Sequence, residues 1–180
     1  YDQAERMLGV ETNKYFSPAD EALKKVSDRL GFGSSFQMAP VGIHFGEEGK
    51  TVEDPYFGGK GPSRTGCINC GECMTGCRHG AKNTLVKNYL YLAEQLGTKV
   101  MPLTKVVNIE QVSGGYTLTL IQSDKLFPRK QTITVPEVIV AAGALGSAKL
   151  LHKVRAKGNL AGISPRLGEL SRTNSESLLG

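Results

Sequence analysis

The stretch EVIVAAGALGSAKLLHK, residues 137–153, joins an apolar run to a helical pattern through two glycines. Residues 138–142 are continuously apolar, as expected of a strand that is buried on both faces of a sheet. Gly143 and Gly146 interrupt the run, and Ser147 can cap the helix that follows. A buried strand that turns at glycine into a helix is the local build of a doubly wound α/β sheet, in which ligands bind at the carboxyl ends of the strands. Small residues at this turn leave room for a nucleotide, but a tight strand-to-helix turn would need them too, and both interpretations stay open.

A β-rich block precedes this stretch. Residues 100–112 are strand-like, Gly114 and Gly115 form a turn, and residues 116–121 alternate apolar and polar side chains with a period of two. Residues 131–135 return after a further turn. The pattern predicts a β-meander of three consecutive strands.

The first part of the chain predicts a helix and a long loop. Residues 15–33 show a helical pattern in which Ser17 can cap the start and Gly31 supplies the stop. Residues 31–66 are rich in glycine and proline and have little periodicity. A loop of this length inside a compact domain is usually functional or a lid.

A second helix is predicted over residues 83–97, with Asn83 or Thr84 as its cap. Together the elements predict the α/β fold class, more narrowly an α+β fragment. Residues 1–80 would form a helix-and-loop domain that carries a Cys-rich segment. Residues 81–180 would supply strands and helices of the doubly wound domain, including the meander.

Composition excludes several classes of protein. The chain has 180 residues and a formal net charge of +5, with an ordinary balance of apolar and charged side chains. No apolar run approaches the roughly 20 residues that cross a bilayer, so no transmembrane segment is predicted. There is no dense Lys/Arg tract with interleaved aromatic residues, so we expect no nucleic-acid partner. Because the chain begins at Tyr1 inside a helical pattern and ends without a polar tail, we interpret it as an internal piece of a larger protein.

All the cysteines lie in GCINCGECMTGCRHG, residues 66–80, with the spacing C-x2-C-x2-C-x3-C. This spacing holds iron–sulfur clusters in bacterial ferredoxins, but Arg78 stands where those runs carry proline, and no second run exists here. Structural zinc sites usually draw two ligand pairs from separated segments. We favour a loop of thiols, with at most one disulfide, and keep a metal site open. The candidate metal ligands are Cys67, Cys70, Cys73 and Cys77.

The remaining signals for chemistry are weak. His44, His79 and His152 show no metal-ligand spacing and no triad motif, so each is interpreted as structural. No G-x-G-x-x-G fingerprint and no Walker loop is present. Reduced cysteines favour a cytoplasmic protein.

Three stretches together resemble a known family: GCRHGAKNTLVKNYLYLAEQLGTKVMPLTKVVNI from Gly76, VIVAAGALGSAKLL from Val138, and LGELSRTNSES from Leu167. In this order and spacing they resemble the middle of a glucose–methanol–choline (GMC) oxidoreductase, closest to the cholesterol-oxidase-like branch. The resemblance implies an FAD enzyme that oxidises an alcohol, often a sterol 3-hydroxyl, to the ketone. It also implies that residues 1–80 belong to the substrate domain and residues 81–180 to the FAD-binding domain. The implied partners are a small-molecule alcohol or sterol and an electron acceptor, either oxygen or a protein carrier.

The resemblance also implies site residues. Val106 would give backbone contacts to the adenine of FAD, the strand end at 142–144 would touch the ADP part, and Asn174 would approach the flavin. The candidate cofactor-binding residues are therefore Val106, Ala142, Gly143, Ala144 and Asn174. The family's glycine fingerprint would precede Tyr1, and its catalytic His and Asn would follow Gly180. We therefore expect no catalytic residue in this chain and no activity from the chain alone.

Two rival functions remain open at this point. One is an iron–sulfur electron-transfer module built on the cysteine run. The other is a non-catalytic interaction domain.

Overall fold

A computed structural model describes residues 1–173, in which the chain divides into two compact units. The first unit is Tyr1–Val100, and the second begins at Met101. The domain boundary expected after residue 80 concerns the whole protein and stays a prediction. None of the described helices is both long enough and apolar enough to cross a membrane.

The first unit contains three helices, four two-residue strands and three short 3-10 turns. The helices are α1 (Asp2–Leu8), α2 (Pro18–Arg29) and α3 (Tyr89–Gln95). The strands are β1 (Glu11–Thr12), β2 (Pro40–Val41), β3 (Thr51–Val52) and β4 (Arg64–Thr65), which pair antiparallel as β1 with β2 and β3 with β4. The 3-10 turns are Gly33–Ser35, Glu72–Met74 and Leu85–Lys87.

Helix α2 begins and ends as its sequence predicts. The Ser17 hydroxyl accepts the Asp20 N–H, and the Asp20 carboxylate accepts the Ser17 N–H at 2.8 Å, which completes a capping box. Gly31 follows the helix with a left-handed φ of +81°. The apolar stripe of α2, which includes Leu23 and Val26, is mostly exposed. This helix therefore owes little of its stability to burial among the described residues.

The predicted second helix is shorter than expected and starts later. Residues 85–87 form a 3-10 turn, and α3 begins only after Asn88, whose side chain accepts the Tyr89 N–H. Asn83 does not cap this helix, because its side-chain oxygen accepts from Arg64 and its amide donates elsewhere. Because the Asn83 side chain bonds to residues distant in the sequence, it does not cap the helix as the local pattern predicts.

The second unit is a three-stranded meander with one helix. Strands β5 (Thr104–Val112), β6 (Gly115–Gln122) and β7 (Lys130–Val135) pair antiparallel in the order β5-β6-β7, which confirms the predicted meander. Helix α4 (Gly143–Ala156) packs on β5. Val154 of α4 is 0% exposed and Ile109 of β5 is 2% exposed, so the small core of this unit lies between them.

Residues 138–142 differ from the prediction. They form neither a helix nor a paired strand among the described residues, and Ile139 is 92% exposed. A strand needs neighbours that satisfy its backbone groups, and no described strand pairs with this segment. The described sheets are accordingly antiparallel, and the chain is an α+β fragment of mixed helices and small sheets. Helix α4 starts at Gly143 rather than Ser147, whose hydroxyl instead accepts the Ala142 N–H at 3.0 Å.

Candidate functional site

An open groove runs between the meander and the start of α4 in the second unit. Its volume is about 710 Å³, within the range of roughly 300–1,000 Å³ that small-molecule sites occupy. One wall comes from β5 and the other from residues 138–142 and the first turns of α4. Its lining is mostly apolar and includes Val106, Val107, Val138, Ala142, Gly146 and Leu150.

Strand β5 contributes a sheet edge and a bulge to this groove. It is an edge strand of its sheet, and its register slips after Val106, which pairs with Leu120, whereas Asn108 pairs with Thr119. Val107 is the bulged residue between them and has no partner in the ladder. Edge strands and bulges leave N–H and C=O groups available to a ligand.

Gly143 and Ala144 directly follow the opposite wall and are not among the residues that line the groove. Gly143 has a left-handed φ of +70°, and a Cβ added there would meet no atom within 4 Å. Ala142 lines the groove, and Ala144 lies in the first turn of α4. The groove thus brings Val106 and Ala142 together from distant parts of the chain. Asn174, the remaining candidate, lies outside the described residues.

Three lysines add positive charge to the groove: Lys105, Lys149 and Lys153. Ammonium groups at the rim of an apolar cleft attract anionic ligands. The apolar walls, the bulged edge strand and the lysines can contact the rings, the polar edges and the phosphates of an adenine nucleotide. The groove residues therefore fit the ADP part of FAD.

The first unit contains a buried polar network centred on Arg64. Arg64 is 1% exposed and donates from Nη1 to the carbonyl of Pro62 at 2.6 Å and from Nη2 to the carbonyl of Lys87. Its Nε donates to the Asn83 Oδ1 at 2.7 Å, and the Asn83 amide donates to the Gly9 carbonyl at 3.1 Å. These hydrogen bonds connect the end of α1, strand β4 and the residues just before α3. Burial lowers the pKa of the Arg64 guanidinium from its usual value.

Tyr56 extends the polar network towards the β1–β2 pair. Its hydroxyl donates to the Glu11 carboxylate at 2.9 Å and lies 3.1 Å from the His44 Nδ1. Burial, reinforced by the Glu11 carboxylate, raises the pKa of Tyr56 to about 12. The phenol therefore stays neutral at physiological pH and acts as a hydrogen-bond donor.

Asp54 organises the loop between β3 and β4. Its carboxylate accepts the N–H groups of Tyr56, Phe57, Gly59 and Gly61 at 2.9–3.1 Å. Burial acts to raise the pKa of Asp54, but the four N–H donors outweigh it and hold the pKa below its usual value. The ionised carboxylate is thus part of the loop structure.

The cysteines line a second, much smaller cavity in the first unit, which we call the thiol pocket. Its volume is about 20 Å³, and its lining includes Cys67, Cys70, Cys73, Cys77, Glu72 and His79. All four cysteines are free thiols in the described chain. Only one group of candidate metal ligands among residues 1–173 has all its ligand atoms within 4.8 Å of one another, and it consists of Cys70, Glu72 and His79.

Cys77 differs from the other thiols in its surroundings. Burial acts to raise its pKa, but the backbone N–H groups of residues 79–82, led by Lys82, lower it overall. The Lys82 ammonium donates to the Cys73 carbonyl at 2.8 Å and holds the loop closed. The run of thiols is therefore an ordered loop that wraps a small cavity.

Some residues of these sites could not be identified from sequence patterns. Arg64 and Asn83 belong to no motif, and only the burial of a charged side chain reveals them. The sequence patterns indicate a structural role for His79 and do not point to Glu72. The signal that could have pointed to them is their position inside and just after the cysteine run.

Comparisons with known proteins agree with the resemblance. The family model for GMC oxidoreductase matches residues 62–161. The cholesterol oxidases of Mycobacterium tuberculosis strains CDC 1551 / Oshkosh and ATCC 25618 / H37Rv are each 51% identical over 187 residues, covering 100% of this chain and 32% of the relative. The cholesterol oxidase of Acinetobacter baumannii is 48% identical over 191 residues, covering 100% of this chain and 34% of the relative. The chain spans about a third of the length of these curated relatives. No solved structure matches it significantly.

Proposed function

The chain belongs to the GMC oxidoreductase family, and on that premise we propose that the whole protein is an FAD-dependent enzyme that oxidises a sterol alcohol to a ketone. Relatives about half identical over the full chain are named cholesterol oxidase, which supports a sterol as the substrate class. When bound, FAD would supply the hydride acceptor for the oxidation. The two rival functions have no comparable support.

The observation that carries the proposal is the groove of the second unit. Val106 and Ala142 were assigned to FAD from separate stretches of sequence, and both line this one groove. We propose that backbone groups of Val106 and of the bulged Val107 hydrogen-bond the adenine edge. Ala142, Gly143 and Ala144 would flank the ADP part closely, because small side chains there leave space.

The lysines of the groove would lie close to the negatively charged pyrophosphate of FAD. Lys149 and Lys153 lie on α4 and line the same groove. We propose that they contribute to the neutralisation of the pyrophosphate. Asn174 stays a candidate for contact nearer the flavin, and no residue of this chain is proposed as catalytic. A cytoplasmic location, inferred from the free thiols, also stays a proposal.

The experiment that tests the function uses the whole protein. We expect purified protein to carry flavin absorption, and anaerobic addition of cholesterol to bleach it by reduction. Cholestenone, the corresponding 3-ketone, is the control and should leave the spectrum unchanged. Oxygen or a protein carrier can then be supplied separately to identify the electron acceptor. Protein that carries no flavin and cannot be reconstituted with FAD would overturn the proposal.

A further inference from the structure

The thiol pocket contains a ligand set that the sterol chemistry does not use. The Cys70 thiol, the Glu72 carboxylate and the His79 imidazole each offer one ligand atom, and the three atoms lie within 4.8 Å of one another. A single ion bound at about 2.0–2.3 Å from each atom would need only small side-chain movements to draw them together. The three residues converge although they come from different turns of the loop.

We propose that Cys70, Glu72 and His79 form a binding site for a single Zn²⁺ ion, with water in the fourth position. Thiolate, imidazole and carboxylate are the three ligand types that zinc takes in proteins, and three protein ligands with one open position form a common zinc geometry. The thiolate and the carboxylate together supply two negative charges to match the ion. Cys70 is exposed, so solvent can reach the open position.

The size of the cavity favours one ion over a multi-iron cluster. Its volume of about 20 Å³ holds little more than a single water molecule, which needs roughly 10–15 Å³ on the same measure. A cluster of several irons and sulfides would have to push the loop open. In addition, among the described residues no group of three or more ligand atoms within 4.8 Å of one another includes Cys67, Cys73 or Cys77.

The backbone of the loop places these ligands. Gly71 has a left-handed φ of +74° and turns the chain between Cys70 and Glu72. The Glu72 carbonyl then accepts the N–H groups of Thr75 and Gly76, which fixes the 3-10 turn that carries the carboxylate. His79 follows the left-handed Gly76 and is partly buried. The set is therefore held on ordered backbone rather than on a free loop tip.

The Arg78 guanidinium competes with the ion for the Glu72 carboxylate. The Arg78 Nε lies 3.3 Å from the Glu72 Oε2. A carboxylate has two oxygens, so the Oε1 remains available as a ligand. The Arg78 side chain is 76% exposed, so its ion pair is weak and can give way.

Metal analysis of the whole protein tests the site. We expect protein purified without chelator, or loaded with Zn²⁺ alone after dialysis against a chelator, to retain one zinc per chain. Replacement of one zinc by Co²⁺ should give the visible and near-ultraviolet bands of a cobalt–thiolate centre. Protein that binds no zinc tightly under either condition would overturn the proposal.

Variants separate this site from a four-thiol cluster. His79→Gln and Glu72→Gln should each weaken zinc binding by about tenfold or more, since even residues behind the ligands cost 10–100-fold. Cys67→Ser, in the same pocket, is the matched control and should bind zinc as the parent does. His152→Gln controls for a generic histidine effect. Iron and acid-labile sulfide that are lost in Cys67→Ser and kept in His79→Gln would contradict the single-ion site.

Flavin content provides an independent readout. Because the thiol pocket lies in the first unit and the groove in the second, the Glu72 and His79 variants should keep their FAD. Loss of zinc with retained flavin supports the site whatever the substrate proves to be. Equal zinc affinity in the parent and in both variants would refute it even if the sterol activity is confirmed.

Discussion

Arg64 donates a hydrogen bond from its Nε to the Asn83 Oδ1 across 2.7 Å, and the two residues are only 1% and 8% exposed. A guanidinium so deeply buried is stable only when its donors are satisfied. Asn83 in turn reaches the Gly9 carbonyl, so one amide connects two distant segments. The first unit is therefore held together by a polar network at least as much as by its few buried apolar side chains.

The polar network predicts a large effect of a small truncation. Asn83→Ala leaves the Arg64 Nε buried without a partner, so we expect the free energy of unfolding to fall by about 2–3 kcal/mol. Thr84→Ala, at the exposed neighbouring position without a side-chain cap bond, should change it by less than about 0.5 kcal/mol. Urea denaturation of the whole protein measures both. Equal effects of the two variants would show that the network is not structural.

Asp54 predicts a pH-dependent contribution to stability. Because its folded pKa lies below the usual value of 3.8, its stabilisation is fully present above that value and disappears as the pH falls through the folded pKa. Asp54→Asn should therefore cost about 1 kcal/mol of unfolding free energy at pH 7, because the lost bonds are charge-assisted but partly screened by solvent. The difference between parent and variant should shrink as the pH is lowered below about 4. A difference that stays constant from pH 7 to pH 3 would rule out the carboxylate as its source.

The left-handed backbone of Gly143, beside the groove, should make substitution there destabilising. Its φ of +70° is strained for a β-branched residue, and Gly143→Val should cost about 1–3 kcal/mol and reduce the FAD content of the whole protein. Gly143→Asn is the matched control, because asparagine tolerates the left-handed region. We expect it to lose much less stability. If both variants unfold alike and both keep FAD, the turn at Gly143 does not lie beside the cofactor.

Helix caps and turns could be predicted from the sequence, whereas the pairing of a strand with distant neighbours could not. The Ser17 cap and the glycine stop at Gly31 predicted α2, because capping depends on neighbours in the chain. The alternation of residues 116–121 likewise predicted a meander strand. Residues 138–142 were expected to be a buried strand, but apolar side chains alone do not provide the neighbouring strand whose backbone must pair with them.

The two sites were predictable to different degrees. The resemblance pointed to Val106 and Ala142 as members of one cofactor site, and their shared groove is a tertiary feature that no local pattern contains. The cysteine spacing predicted a tight loop. The convergence of Glu72 and His79 on Cys70 depends on left-handed glycines, whose φ angles cannot be inferred from spacing alone.

We propose that the groove beside β5 and α4 holds the ADP part of FAD, so the affinity of the whole protein for FAD is the quantity to measure. Gly146 lines the groove, and a Cβ there would meet only the Ala142 Cβ, at 3.2 Å. Gly146→Val should therefore fill the groove without a left-handed strain and raise the FAD dissociation constant by about tenfold or more, equivalent to at least about 1.4 kcal/mol. Gly162→Val, at an open position outside the groove lining, should leave it unchanged. Isothermal titration of deflavinated protein with FAD gives both constants, and equal affinity in Gly146→Val and the parent would contradict the claim.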